Sequence, residues 1–264
     1  MHPLMNIAIS AARKAGEFVF RAGQRLDLVH AVEKEKHDFV TQVDHESEQI
    51  IINTIRQAYP NHGILAEESG ESTGIDEYRW VIDPIDGTRN FMNGYPHYAI
   101  SIGIEIKNKL EIAVIYEPHT NELFTAQKGK GAQLNNQRLR VGGRSQLDEA
   151  LLATGFPIKA PQYAQLQFKI MQEIINHTGD IRRTGSAALD LAYVAAGRLD
   201  GFWEFKLQPW DIAAGILLVK EAGGLIGDFH GEENFYEIGN IIAANPKIFK
   251  ALLQIIKPAL PVST

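Results

Sequence analysis

Residues 80–91 read WVIDPIDGTRNF: an apolar run, then two carboxylates, Asp83 and Asp86, three positions apart around a proline. Trp80, Val81 and Ile82 form the pattern of a buried strand. Pro84 has no N–H to donate and biases the residue before it towards an extended backbone, so the strand is expected to end at Asp83. Gly87 then permits a tight turn, and Thr88 offers a hydroxyl. In isolation the pattern has a plain structural meaning, a polar turn in which Asp86 and Gly87 reverse the chain. It also has a chemical one: two hard oxygen ligands with the carbonyl of Ile85 between them, a donor set suited to Mg²⁺.

Towards the N-terminus, Leu4, Ile7, Ala8, Ala11, Ala15, Phe18 and Ala22 recur at helical spacing and predict an amphipathic helix. A second helix is expected over 45–58, with Asp44 as N-cap and YPNHG as its stop. GILA at 63–66 reads as a buried strand. YAISIGIEI, KLEIAVIYE and ELFTAQ read as a meander whose first turn is KNK, and KGKG at 128–131 reads as a turn. From about residue 150 the order changes. Strands ALLATG, GDIRR, DGFWE, GLIGDF and NIIAAN are interleaved with expected helices at 161–177, 186–196, 211–222 and 246–257, which suggests helices covering a sheet. The chain therefore reads as α+β, with a first half of 1–145 and a second of 146–264. No Pro- or Ser-rich linker marks the junction near VGGRSQLDEA, so the halves are expected to share an interface.

Composition excludes several functions. A formal net charge of −6 gives no footprint for a nucleic-acid backbone. The absence of cysteine removes disulfides, thiolate metal sites and cysteine nucleophiles together. Arg13 and Lys14 interrupt the first apolar stretch, which is unlike a signal peptide, and no run approaches the roughly 18 apolar residues of a membrane span. A cytoplasmic protein is expected. The histidines lack HxxxH or HxH spacing, which gives no support to a histidine metal centre.

Two further acidic stretches give the metal reading substance. LAEESG places Glu67 and Glu68 after an apolar run, and QPWDIAAG places Asp211 at the start of an expected helix. Each has an ordinary alternative: a solvated loop for the glutamates, a helix cap for Asp211. The DxDGT motif of the haloacid dehalogenase-like phosphatases is a rival for DPIDGT, but there the acids stand two positions apart, and the extra residue here displaces the second from its acid/base position.

EES, DPIDGT and PWDIAAG occur in that order, together with DFVTQVD at 38–44 and RRTGSAALDLAYVAAGRLDGFWE at 182–204. With these five motifs the chain resembles the inositol monophosphatase family, most closely its bacterial SuhB branch, from the first helix to about residue 255. The resemblance implies a layered α-β-α-β-α sandwich of the type shared with fructose-1,6-bisphosphatase. It implies a Mg²⁺-dependent, Li⁺-sensitive phosphomonoesterase acting on inositol monophosphate without a phosphoenzyme. Fructose 1,6-bisphosphate, nucleotide 3′-phosphates and NADP are substrates of related folds. Metal ligands carry over to Glu67, Asp83, Asp86, Asp211 and the Ile85 carbonyl, for two or three ions per site. Glu67 and Thr88 are implied to orient the attacking water, with Asp44 supporting Thr88. Asp86, Gly87, Thr88, Ala187, Glu204 and Asp211 are implied to bind substrate, Glu204 by accepting hydrogen bonds from ring hydroxyls. The resemblance further implies a homodimer, and for the SuhB branch an association with RNA polymerase and Nus factors in ribosomal RNA antitermination.

Physical chemistry agrees with the ligand set. Four carboxylates about 5 Å apart repel by roughly 3 kcal/mol per pair at an effective dielectric of about 20, and two Mg²⁺ ions cancel their formal charge. Other charged residues read more plainly. Arg182 and Arg183 are expected at structural or subunit-interface positions, and Arg89 and Lys206 as surface charges near the site. Lys34 or Lys36 matches a lysine in the family's flexible loop and is left out of the catalytic set. Leu189, Tyr193 and Ala196 read as ordinary core.

Overall fold

The computed structural model describes residues 2–29, 31–35, 38–75, 77–158 and 160–261. It begins with α1 (Pro3–Gly23), the antiparallel pair β1 (Ala31–Glu35) and β2 (Asp38–Thr41), and α2 (Gln42–Ala58). Next come β3 (Gly63–Ala66), β4 (Gly70–Ser72), β5 (Tyr78–Asp86), a short α3 (Thr88–Met92), β6 (Ala99–Ile106), β7 (Lys109–Glu117), β8 (Glu122–Gln127), β9 (Gly131–Leu134) and β10 (Gln137–Arg138). The remainder is β11 (Leu151–Thr154), α4 (Ala164–Ile175), β12 (Asp180–Arg182), α5 (Ala187–Ala195), β13 (Gly201–Glu204), α6 (Pro209–Glu221), β14 (Leu225–Gly227), α7 (Phe235–Ile238), β15 (Ile241–Ala244) and α8 (Pro246–Ala259).

Two sheets organise these elements. One has eight strands in the order β10-β9-β8-β7-β6-β5-β3-β4, antiparallel except for the parallel β3–β5 pair. The other has five strands in the order β12-β11-β13-β15-β14, parallel at β12-β11-β13 and antiparallel beyond.

Side-chain alternation along the strands sorts the core into layers. Trp80, Ile82, Ile100, Ile102, Ile104, Ile112 and Val114 pack against Ala8, Ala11, Ala15, Ile51 and Ile55 of α1 and α2. On the opposite face of the same sheet, Ala99, Ala113, Ile115 and Phe124 meet α5 and α6, which also cover Ala153, Phe202, Ile241 and Ala243 of the second sheet. The far side of the second sheet, including Leu152, Trp203 and Ile242, is covered by Ile170 and Ile174 of α4 and Ile248, Leu252 and Ile256 of α8. The fold is therefore an α-β-α-β-α sandwich. α6 is apolar on every side, with Ile212 to Val219 all buried, as a helix held between two sheets must be. α1 shows one apolar stripe because it has solvent behind it.

Three boundaries differ from the sequence reading. β5 does not stop at Asp83 but continues to Asp86, because the register against β6 shifts: Asp83 faces Ser101 and Asp86 faces Ala99, three steps against two. Pro84 lies in this bulge, where no ladder N–H is required. α2 starts at Gln42 with Thr41 as N-cap, and Asp44 is the third helical residue, completing a capping box with Thr41. α6 likewise starts at Pro209 with Gln208 as N-cap, which moves Asp211 to the third helical position. KNK and KGKG are turns as read, with left-handed Lys107 and Asn108 in the first and left-handed Gly129 and Gly131 in the second. Lys36 and the side chain of Lys34 lie outside the described residues. Among the described residues no helix is long and apolar enough to cross a membrane.

Candidate metal centre and adjoining pocket

The bulge in β5 decides where its two acids go. Asp83 is 1% exposed and its Oδ1 accepts the N–H of Ile85 at 3.0 Å, which clamps the DPID turn on itself. The Ser47 hydroxyl donates to the Pro84 carbonyl at 2.9 Å and fixes the same turn from α2. Gly87 follows at φ 101°, a left-handed conformation, and a Cβ there would stand 3.0 Å from the His97 carbonyl, so a side chain is disfavoured twice. This reversal starts α3 at Thr88.

α2 supplies the next group of residues. Asp44, Ser47 and Glu48 lie at i, i+3 and i+4 and continue the stripe of Ile51 and Ile55, so they face inward and are buried. Asp44 Oδ2 accepts the Thr41 N–H and hydroxyl at 2.8 and 2.5 Å. Its Oδ1 receives the Thr88 hydroxyl at 2.9 Å, and that hydroxyl also lies 3.1 Å from the Ile85 carbonyl. Burial raises the Asp44 pKa and the hydrogen bonds from Thr41 and Thr88 oppose it. Glu48 accepts the Glu68 N–H at 2.8 Å and so holds the segment carrying Glu67.

The second half contributes from two helix starts. Ser186 is the N-cap of α5: its oxygen accepts the Leu189 N–H at 3.3 Å while its hydroxyl donates to Asp86 Oδ2 at 2.6 Å. The Ala188 N–H donates to the same oxygen at 2.7 Å. Asn90 secures this approach by donating to both the His97 and Thr184 carbonyls. Asp211 enters from α6, where its Oδ2 accepts the Gln208 N–H at 2.7 Å. It is therefore both a capping residue and a member of the acidic cluster.

Carboxylate oxygens of Asp83, Asp86 and Asp211 lie within 4.8 Å of one another. Glu67 is outside that trio, yet it acts on it: the Asp83 pKa is driven well above its ordinary value by burial first, then by the charges of Glu67, Asp86 and Asp211. An all-oxygen, mutually repelling and largely buried donor set fits a hard dication. The Ile85 carbonyl lies at the same turn, and its side chain is buried in a separate cluster with Val19, Val43, Phe91 and Tyr98.

Beside the acids opens a pocket of about 120 Å³ that Asp86, Ala187, Asp190, Glu204 and Asp211 help to line. Glu204 ends β13 and lines this pocket, partly exposed within it. Burial raises its pKa well above the ordinary value, followed by the charges of Asp190, Asp211 and Asp86. Asp190 is 1% exposed, receives the Thr184 hydroxyl at 2.8 Å, and is likewise raised by burial.

The cations divide differently from the sequence expectation. Arg182 pairs with Asp180 at 2.5 Å, with both side chains half-exposed. Arg183 lines the pocket, with its guanidinium 5.8 Å from the Phe156 ring, because β12 is an edge strand that ends beside the α5 start. Lys206 lies 5.5 Å from the Tyr163 ring with its amine 3.4 Å from the Ile238 carbonyl, and Arg89 is exposed on α3. Sequence reasoning did not single out Ser47, Glu48, Asn90, Ser186 or Asp190. The i, i+3, i+4 spacing of Asp44, Ser47 and Glu48 ahead of two isoleucines was the available signal for the first two; the others depend on tertiary register.

Comparison with known proteins covers the whole chain. The sequence profile of the inositol monophosphatase family matches residues 1–259. The protein called Nus factor SuhB from Escherichia coli (strain K12) is 55% identical over 254 residues, 96% of this chain and 95% of that protein. The crystal structure of extragenic suppressor protein suhB from Bartonella henselae superposes with a TM-score of 0.95 at 42% identity, covering 98% of this chain and all of that one. An inositol monophosphatase structure from Anabaena (Nostoc) sp. PCC 7120 gives 0.85 at 37% identity, covering 98% and 97%.

Proposed function

Since this chain belongs to the inositol monophosphatase family, a family of phosphatases, we propose that it is a Mg²⁺-dependent phosphomonoesterase acting on inositol monophosphate and other small polyol phosphates. The observation that carries this reading is the convergence of Asp83, Asp86 and Asp211 beside a pocket containing Glu204. These acids, with Glu67 and the Ile85 carbonyl, would hold two or three Mg²⁺ ions. Bound there, the dications supply positive charge to the phosphoryl oxygens and lower the pKa of water.

The chain's own groups account for orientation. The Thr88 hydroxyl donates its hydrogen bond to Asp44, so its oxygen lone pair is directed to accept a hydrogen bond from the attacking water. Glu67 is the second acceptor for that water. Gly87 and Thr88 present backbone N–H groups to the phosphate at the start of α3. On the leaving side, Glu204 accepts ring hydroxyls, and Asp86, Ala187 and Asp211 complete the contact with the polyol. Water oxygen attacks phosphorus and gives up a proton, the bond to the polyol oxygen breaks with its electron pair, that oxygen takes up a proton, and inorganic phosphate and free polyol leave without a covalent enzyme species.

A panel of inositol 1-phosphate, fructose 1,6-bisphosphate, a 3′-nucleotide and NADP tests the substrate class. The reading expects the highest kcat/KM for inositol 1-phosphate and a selective loss of it in Glu204→Gln. A preference for NADP or the nucleotide would overturn it.

That several relatives are called Nus factor SuhB favours a second, compatible role, and we propose that a homodimeric cytoplasmic form of this chain binds RNA polymerase and Nus factors in ribosomal RNA antitermination. Catalytically dead Asp86→Asn protein is then expected to retain binding to purified polymerase with Nus factors. Loss of binding along with activity would contradict a separate surface.

A further inference from the structure

Glu204 reaches the pocket over an unusually close support. A Cβ on Gly155 would stand 1.9 Å from Glu204 Oε1, so the carboxylate lies directly on the Gly155 backbone. Thr154 and Trp203 are register partners of the parallel β11–β13 pair, and Gly155 and Glu204 are the residues that follow them at its C-terminal edge.

Beneath that edge is Gln167, a fully buried amide from α4. Its Nε2 donates to the Gly155 carbonyl at 2.9 Å and to Thr154 Oγ1 at 2.9 Å. The Thr154 hydroxyl donates its own hydrogen bond to the Trp203 carbonyl at 2.7 Å. Trp203 Nε1 closes the ring by donating to Gln167 Oε1 at 3.1 Å. Chemistry fixes the orientation of the amide. Indole N–H is only a donor and a peptide carbonyl only an acceptor, so the oxygen must face Trp203 and the nitrogen must face Gly155. A flipped amide would break both contacts.

We propose that Gln167 is a positioning residue for polyol recognition: it holds the Gly155 seat and the Trp203 backbone in register, so that Glu204 meets the substrate hydroxyls at one fixed place. This rests on the reading of Glu204 as a polyol contact. The network touches neither the acidic cluster nor Thr88, so its effect is confined to the leaving-group side of the substrate. Gln167 thereby sets the KM for hydroxyl-bearing substrates and leaves the chemical step unchanged.

The test compares myo-inositol 1-phosphate with p-nitrophenyl phosphate, an ester whose leaving group carries no polyol hydroxyls, in wild type, Gln167→Met, Trp203→Phe and Glu204→Gln. Gln167→Met keeps the side-chain length and removes all three bonds. It is expected to raise KM for inositol 1-phosphate about fivefold, the scale of a lost hydrogen bond, with kcat within about twofold of wild type. KM for p-nitrophenyl phosphate and the Mg²⁺ midpoint stay unchanged. Trp203→Phe removes only the indole bond and is expected to shift the same KM about twofold, which keeps the test available if Gln167→Met folds poorly. A lowered melting temperature with both KM values unchanged, or an equal shift for the two esters, would overturn the proposal and leave the Glu204 reading standing. An inositol 1-phosphate KM that Glu204→Gln does not alter removes that reading, and the role of Gln167 with it.

Discussion

Ser186→Ala removes one hydroxyl and tests how the two halves of the chain build one acidic centre. Asp86 Oδ2 accepts two short hydrogen bonds, from the Ser186 hydroxyl at 2.6 Å and the Ala188 N–H at 2.7 Å. Both donors belong to the start of α5, about a hundred residues along the chain, and Asp86 is only 9% exposed. A hydrogen bond to a charged group contributes about 1.5–3 kcal/mol, and the lost N-cap adds about 1 kcal/mol. Metal-free protein should therefore lose roughly 2.5–4 kcal/mol, which at about 2–4 °C per kcal/mol lowers the melting temperature by about 5–15 °C. Mg²⁺ affinity should weaken about 10- to 100-fold, because Asp86 keeps its charge but loses the contact that orients it. Isothermal titration with Mg²⁺ and thermal melting with and without the metal measure both effects. Ser186→Thr retains the hydroxyl and should restore them. A folded Ser186→Ala variant with unchanged or tighter Mg²⁺ binding would refute the reasoning, since charge alone would then suffice.

Mg²⁺ should raise the melting temperature of the wild type, with a stabilisation of about 2.7 kcal/mol at a hundredfold excess over Kd; Asp83→Asn or Asp211→Asn should sharply reduce the response, and an unmoved melting curve in the wild type would count against the site. In metal-free protein, pH acts through the buried acids. Asp190 has an ordinary value of 3.8 and is raised well above it by burial, so its folded state retains a proton that the unfolded chain gives up. The stability this contributes is full below about pH 4 and is lost as pH rises through the elevated folded value. Asp190→Asn should flatten that part of the melting-temperature profile, and an unchanged slope would show that Asp190 does not titrate across folding. Gly155→Ala should displace the Glu204 carboxylate and raise KM for inositol 1-phosphate while sparing p-nitrophenyl phosphate; equal effects on both esters would remove the close seat as the cause.

The α+β class, the order of elements and the principal acids were legible because they depend on local pattern, whereas the layered sandwich followed from the family resemblance. Asp83, Asp86 and Asp211 follow an apolar strand or begin a helix, and their order matches one family. The strand end was misread because Pro84 was weighed as a ladder breaker, whereas a bulge gives it a place where no N–H is needed. A cap is the reading for Asp44 and the ordinary alternative for Asp211, which would start each helix about one turn too late; each sits instead at the third helical position and accepts a hydrogen bond from the N-cap backbone. Ser186 and Asn90 were hidden for a different reason. A serine before a helix and an asparagine in a short helix are ordinary locally, and their partners Asp86 and Thr184 are brought to them only by packing α5 between two sheets. Gln167 was hidden likewise, as one polar residue among several in an amphipathic helix.

The central claim, that the acids around the β5 bulge serve Mg²⁺-dependent phosphate-ester hydrolysis, is tested most directly by inorganic phosphate release from myo-inositol 1-phosphate. Wild type and Asp86→Asn would be assayed across a Mg²⁺ titration and in excess chelator. Turnover that requires Mg²⁺ in the wild type and is essentially absent from a folded Asp86→Asn variant is the predicted result. Turnover that survives chelation, or near-normal activity in Asp86→Asn, would contradict the account.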